Sequence, residues 1–146
     1  MVALTMAGFL FIACDRGPQV EIISPDGAEK ARVSVEIART PARRELGLMY
    51  RDSLGENSGM IFLFPDQKPL KFWMRNTRIP LDMIFADHNG RVVGIVENAE
   101  PYSEAPVGPD TPSQFVLEVN GGFAARHSIT PGSRLDFSGF SPQTSN

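Results

Sequence analysis

One cysteine, one tryptophan and two histidines stand among 146 residues, and each scarcity removes a class of chemistry. With Cys14 alone, no internal disulfide can form. Cys14 also lies far in sequence from either histidine, so a cysteine nucleophile is not expected. His88 and His127 are widely separated and no cysteine pair accompanies them, which argues against zinc. His127 and Asp82 supply two members of a hydrolytic triad on paper. No serine occupies the sharp strand-to-helix turn that such a nucleophile uses. Formal net charge is −3 with the basic residues scattered, so no basic stripe marks a nucleic-acid partner. No apolar run reaches the ~20 residues that cross a bilayer as a helix. Neither a metal nor any other cofactor is expected. Met49, Met60, Met74 and Met83 carry thioethers that suit Cu(I), but all four sit in apolar runs where methionine fills core gaps.

What the chain does have is an unusual central run, Phe72-Trp73-Met74-Arg75-Asn76-Thr77-Arg78-Ile79-Pro80-Leu81-Asp82. Leu70, Phe72 and Met74 alternate with Lys71, Trp73 and Arg75, the period of a strand. Residues 76–80 read as a turn, because Asn tolerates left-handed backbone and Pro80 biases Ile79 to extended geometry. Alternation resumes with Leu81, Met83 and Phe85 against Asp82, Ile84 and Ala86. Asp82 is the anomaly, since a carboxylate in an apolar strand must find donors or water. The simplest expectation is that it accepts backbone N–H groups from the 76–79 turn or pairs with Arg75 or Arg78. The sharper one is that Asp82 and Asn76 line a cleft over Trp73.

Around this run, further elements follow from pattern. Residues 20–23 suggest a first strand, closed by Ser24-Pro25-Asp26-Gly27. Residues 31–38 alternate cleanly, with Val33, Val35 and Ile37 on one face. Thr40-Pro41 is a helix start, and a helix is predicted over 41–48. Arg43 and Arg44 in its first turn oppose the helix dipole, which points either to an acidic partner across the fold or to plain solvation. Residues 59–64 form a continuous apolar run, best read as a buried strand. Asn89-Gly90 between alternating runs predicts a hairpin of 81–86 with 91–96. Residues 100–113 hold four prolines and are read as a long loop beside the candidate cleft. Residues 114–119 give a strand with Phe115, Leu117 and Val119 on one face and Glu118 opposite. A short helix over 123–128 and a closing strand over 134–137 complete the expected fold, with 139–146 as a frayed tail.

The run FWMRNTRIPLD, together with GLMYR at 47–51, GMIFLF at 59–64 and the closing segment at 115–137, resembles the domain-of-unknown-function 192 family over about residues 32–137. The resemblance implies a small, mostly antiparallel β fold with short helices and implies no reaction. Where the family often has Gly-Asp before the last strand, this chain has Gly132-Ser133.

Residues 1–14 carry no charge and end Ile12-Ala13-Cys14. The apolar stretch suits a secretory signal. It is similar to a bacterial lipoprotein signal, in which Cys14 would be lipidated and become the new N-terminus. The acyl chains would then tether the protein to a membrane.

Taken together, the expected protein is mainly β (α+β), a single small antiparallel barrel or sandwich with two short helices. The expected organisation is a signal at 1–14, a tether and first turn at 15–30, one domain at 31–138 and a disordered tail at 139–146. The expected role is a non-enzymatic small-ligand-binding or accessory module of the cell envelope. Its candidate ligand-binding residues are Trp73, Arg75, Asn76, Asp82 and Tyr102. The alternatives are a hydrolase using Asp82 with a second carboxylate from Glu97, Glu100, Glu104 or Glu118, and a structural partner of another envelope protein.

Overall fold

The computed structural model describes residues 16–143. The expected signal segment with Cys14 and the last residues, 144–146, lie outside them. Strands β1 (Gln19–Ile23), β2 (Glu29–Ala38), β3 (Ser58–Lys68), β4 (Leu81–Ala86), β5 (Val92–Ala99), β6 (Ser113–Asn120) and β7 (Arg134–Ser138) form one sheet. Their order is β5-β4-β6-β3-β2-β1-β7. Two short helices, α1 (Pro41–Leu46) and α2 (Phe123–Arg126), complete the fold. Every pairing is antiparallel except β2 with β3, which run parallel. A parallel neighbour needs a crossover, and α1 lies within it.

The sheet curls into a half-barrel. An isolated antiparallel bridge between Arg91 and Arg134 brings the starts of the two edge strands together. There Val92 N–H donates to Ser133 O at 2.7 Å and Leu135 N–H to Gly90 O at 2.7 Å. Tying the edges removes much of the unpaired backbone that an open sheet presents. Gly90, with φ +80°, sits at this closure, and a Cβ there would lie 2.5 Å from Leu135 O. Asn89-Gly90 therefore does double duty, as the hairpin turn of β4 and β5 and as the contact point with β7.

The curl produces two cores. The inner one draws on every strand and on α2, with Val20, Val33, Ile61, Ile84, Val92, Leu117, Phe123 and Leu135 among its members. The outer one coats the opposite face of β3, β4 and β6 with Met60, Phe62, Met83, Phe85 and Val116, covered by Leu48, Leu70, Met74 and Ile79. Central strands buried on both faces explain why 59–64 and 81–86 are continuously apolar. Met60, Met74 and Met83 are core residues, and Met49 is half-buried.

The structure departs from the sequence pattern in several places, beyond helices that end two residues early and a β3 that runs on to Lys68. Residues 70–75 keep the predicted alternation but form no strand, because Phe72 bridges only Val107 of the proline-rich loop. The folded domain begins before residue 31, since β1 is an interior strand between β2 and β7. Residues 139–143 are not frayed: Phe140 packs edge-on to Phe137, and Arg39 donates to Ser141 O and Gln143 O, both at 2.8 Å.

Candidate functional site

Asp82 has no exposed surface and belongs to the inner face of β4 with Ile84. Its Oδ1 accepts Asn98 N–H at 2.8 Å and Gly122 N–H at 3.0 Å, and its Oδ2 accepts Ala124 N–H at 2.8 Å. The donors therefore come from β5 and from the entry to α2, not from the 76–79 turn. Arg75 and Arg78 have other partners, Glu104 at 3.6 Å and Asp52. The carboxylate ties β4, β5 and α2 together, and three backbone bonds account for its burial. It does not line a cleft with Trp73, which covers the outer face of the sheet, and it offers nothing to a substrate. The pairing of Asp82 with a second carboxylate for hydrolysis falls with it.

The outer face holds the candidate cavity. Between α1, the start of the central run and β6 lies a cavity of about 240 Å³. Phe62, Phe64, Phe72, Trp73, Leu46 and Leu48 form its apolar walls. Trp73 stays 42% exposed at the mouth, unusual for the largest apolar side chain in the protein. Arg75 lies over its ring, with the guanidinium carbon 5.3 Å from the centroid. A neighbouring groove shares Leu46, Met49 and Trp73 and adds Tyr50, Arg75 and Asn76.

The local backbone holds this rim in place. The Thr40 hydroxyl caps α1 by accepting Arg43 N–H at 3.2 Å, as the Thr40-Pro41 signature predicts. The helix ends at Gly47, whose left-handed φ of +49° keeps its Cα against the Phe62 ring; a Cβ would sit 3.2 Å from that ring. Tyr50 and Asn76 both adopt positive φ and lock together: Tyr50 N–H donates to Asn76 O at 2.9 Å and Asn76 Nδ2 to the Tyr50 hydroxyl at 2.9 Å. Two non-glycine residues in that region mark backbone held by its surroundings.

Glu118 and Arg44 reach the cavity from below and from the side, and Glu45, Lys71 and Thr77 complete its polar lining. Glu118, on the outer face of β6, is 5% exposed, and among the described residues no hydrogen bond or ion pair meets its carboxyl. Its cross-strand neighbours are Met60 and Met83, neither of which can donate a proton. Burial alone pushes its pKa up to about 8, so the group is mostly an uncharged acid at neutral pH. Arg44 is fixed at the wall: Nη1 donates to Arg39 O and to Leu63 O at 3.0 Å, and the guanidinium stacks 4.9 Å from the Phe64 centroid. Arg43 instead finds the acidic partner, Glu36, at 3.4 Å.

Of the predicted site residues, Trp73 lines the cavity, Arg75 and Asn76 line the groove beside it, and Asp82 lies on the other face of the sheet. Tyr102 is 61% exposed and donates its N–H to Thr77 O at 3.1 Å, outside the cavity lining. The proline-rich loop does lie along the central run, through the Phe72–Val107 bridge and a bond from Met74 N–H to Ser103 O at 2.7 Å. Sequence reasoning placed Glu118 on the correct strand face and weighed it as a second carboxylate for Asp82, but not among the ligand-binding residues. Among the described residues, no three of His, Cys, Asp and Glu cluster to hold a metal ion.

A model of the domain-of-unknown-function 192 family, described as uncharacterized, matches residues 22–137. The chain belongs to this family. Two solved structures share the family fold at high identity. A protein from Sinorhizobium meliloti 1021, whose description proposes a transcription regulator, is 40% identical with a TM-score of 0.80, over 84% of this chain and 95% of that one. A protein of unknown function from Novosphingobium aromaticivorans DSM 12444 is 45% identical with a TM-score of 0.74, over 81% and 83%. No functionally curated protein matches the chain.

Proposed function

We propose that this family member is a non-enzymatic module that binds a small ligand in the Trp73–Glu118 cavity. The observation that carries the reading is a buried acid without a protein partner at the base of an aromatic-walled opening. The carboxyl oxygens keep a little accessible surface at the cavity, where a ligand would meet a polar group that no protein donor occupies. Apolar walls with few polar groups are the usual composition of such sites. At about 240 Å³ the cavity suits a ligand smaller than the drug-sized ones that fill ~300–1,000 Å³ pockets. Ligand sensing fits the regulator description given to the S. meliloti relative, but a net charge of −3 with scattered basic residues gives no support to DNA binding.

The placement at the cell envelope rests on residues 1–14 and the lipidation of Cys14. Leu46, Tyr50 and Trp73 are exposed around the cavity, and a partner protein covering them is the competing role.

Trp73 is the only tryptophan, so intrinsic emission reports directly on the cavity mouth. Titration of the protein with a fragment library should change that emission saturably, and binders should raise the thermal midpoint. At one hundred times Kd a ligand adds about 2.7 kcal/mol. A library that moves neither emission nor midpoint would count against the reading.

A further inference from the structure

We propose that the cavity selects small carboxylates with a flat apolar body, received by Glu118 as hydrogen-bond donor and by Arg44 as counter-charge. This rests on the ligand-binding reading above and assigns the ligand its chemical class.

The geometry of Arg44 is the first support. Its Nη1 is consumed by two backbone carbonyls, which fix the plane of the guanidinium. Its Nε and Nη2 hydrogens have no protein acceptor among the described residues. A pre-oriented guanidinium with free donors is suited to carboxylate, because the planar fork matches two oxygens.

Charge balance around Glu118 is the second. From β3 and β4 it faces Met60 and Met83, which carry no charge. From α1 the cavity receives Arg44 and the exposed Glu45, and from the central run it receives Lys71, whose ammonium is held by Gly108 O at 2.6 Å and Asp110 at 2.9 Å. Asp110 neutralises Lys71, which leaves Arg44 against the exposed Glu45, with Glu118 itself uncharged at neutral pH. An ammonium ligand would have to ionise Glu118 and would sit beside Arg44. A carboxylate meets a donor and a cation as they stand. A protein acid kept neutral at pH 7 can donate to an anion. The flat body then lies against Trp73 and Phe72, whose rings supply apolar contact.

The test uses benzoate, benzamide and benzylamine as probes that share one body, titrated into the protein while Trp73 emission is followed from pH 6 to 9.5. Benzoate is expected to bind, with affinity flat below pH 8 and falling about tenfold for each pH unit well above it, since only the acid form of Glu118 donates. Glu118→Gln keeps a neutral donor and should bind benzoate within a few-fold of wild type with no fall up to pH 9.5. Arg44→Met should weaken benzoate by about tenfold or more. Benzylamine binding that strengthens as pH rises, or benzamide binding as tightly as benzoate, would overturn the carboxylate assignment and leave the ligand-binding reading standing. So would silence from all three probes when another fragment moves Trp73 emission. Silence from every fragment overturns both.

Discussion

Asp82 accepts the backbone N–H of Ala124 at 2.8 Å across 42 positions of sequence. With Asn98 and Gly122 donating to the other oxygen, the carboxylate is the joint of β4, β5 and α2. Asp82→Asn turns one acceptor into a donor that faces backbone N–H groups. A loss of about 1–3 kcal/mol is expected, the cost of leaving a buried backbone N–H without its acceptor. For a domain of this size that lowers the thermal midpoint by several degrees. Calorimetry of the two proteins checks it, and an unchanged midpoint would remove Asp82 from its structural role.

Glu118 should behave in the opposite sense. Between pH 4.5 and about 8 the native protein holds a proton that the unfolded chain releases. Its share of stability is therefore full below pH 4.5 and is lost as pH rises to about 8. Glu118→Gln removes this penalty, so the variant should be the more stable one at pH 8. The expected gain is a few kcal/mol, because each tenfold change in proton affinity between the two states is worth about 1.4 kcal/mol. Urea titrations at pH 5 and pH 8 should show the difference widening with pH. Equal dependence in both proteins would mean that Glu118 is ionised in the fold.

The proline-rich loop is pinned to the central run by Lys71, which reaches Gly108 O and Asp110. Both partners are substantially exposed, so Lys71→Met should cost only about 0–1 kcal/mol in global stability. Local opening should nonetheless rise, with faster hydrogen exchange at the Phe72 and Val107 amides that bond each other at 2.8 Å. Unchanged exchange at these amides would show that the bridge holds without the lysine.

Cys14→Ser tests the envelope assignment. Cells making the natural chain should incorporate labelled fatty acid into it and hold it in the membrane fraction. The serine variant should lose both. A natural chain that stays unlabelled and unbound would contradict lipidation.

Much of the fold was legible because it depends on short-range pattern. Thr40-Pro41 placed α1, Asn89-Gly90 placed the β4–β5 hairpin, and alternation in 81–86 and 114–119 gave correct faces. What failed was the meaning of a face. Glu118, opposite Phe115, Leu117 and Val119, reads as solvent-facing on an ordinary two-sided strand. It is buried because α1 and the central run cover the outside of the curled sheet, an arrangement no local window contains. Asp82 stood out as anomalous, yet its donors lie 16, 40 and 42 positions away, beyond any turn signal. Trp73 was found because a lone tryptophan beside arginine and asparagine in an apolar run is unusual at any range. The cavity it borders is lined jointly by α1, β3, the central run and β6, which only the folded chain brings together.

The proposed ligand site is the outer-face cavity floored by Glu118, and not the Asp82 joint. The most direct measurement is an amide and indole chemical-shift map of the protein with benzoate, benzamide and benzylamine added in turn. Saturable shifts are expected at the Trp73 indole N–H and at the amides of Gly47, Met49, Thr77 and Glu118, with Asn98, Gly122 and Ala124 undisturbed. Shifts centred on those last three amides would contradict it, and so would a Trp73 indole that neither these probes nor any other fragment moves.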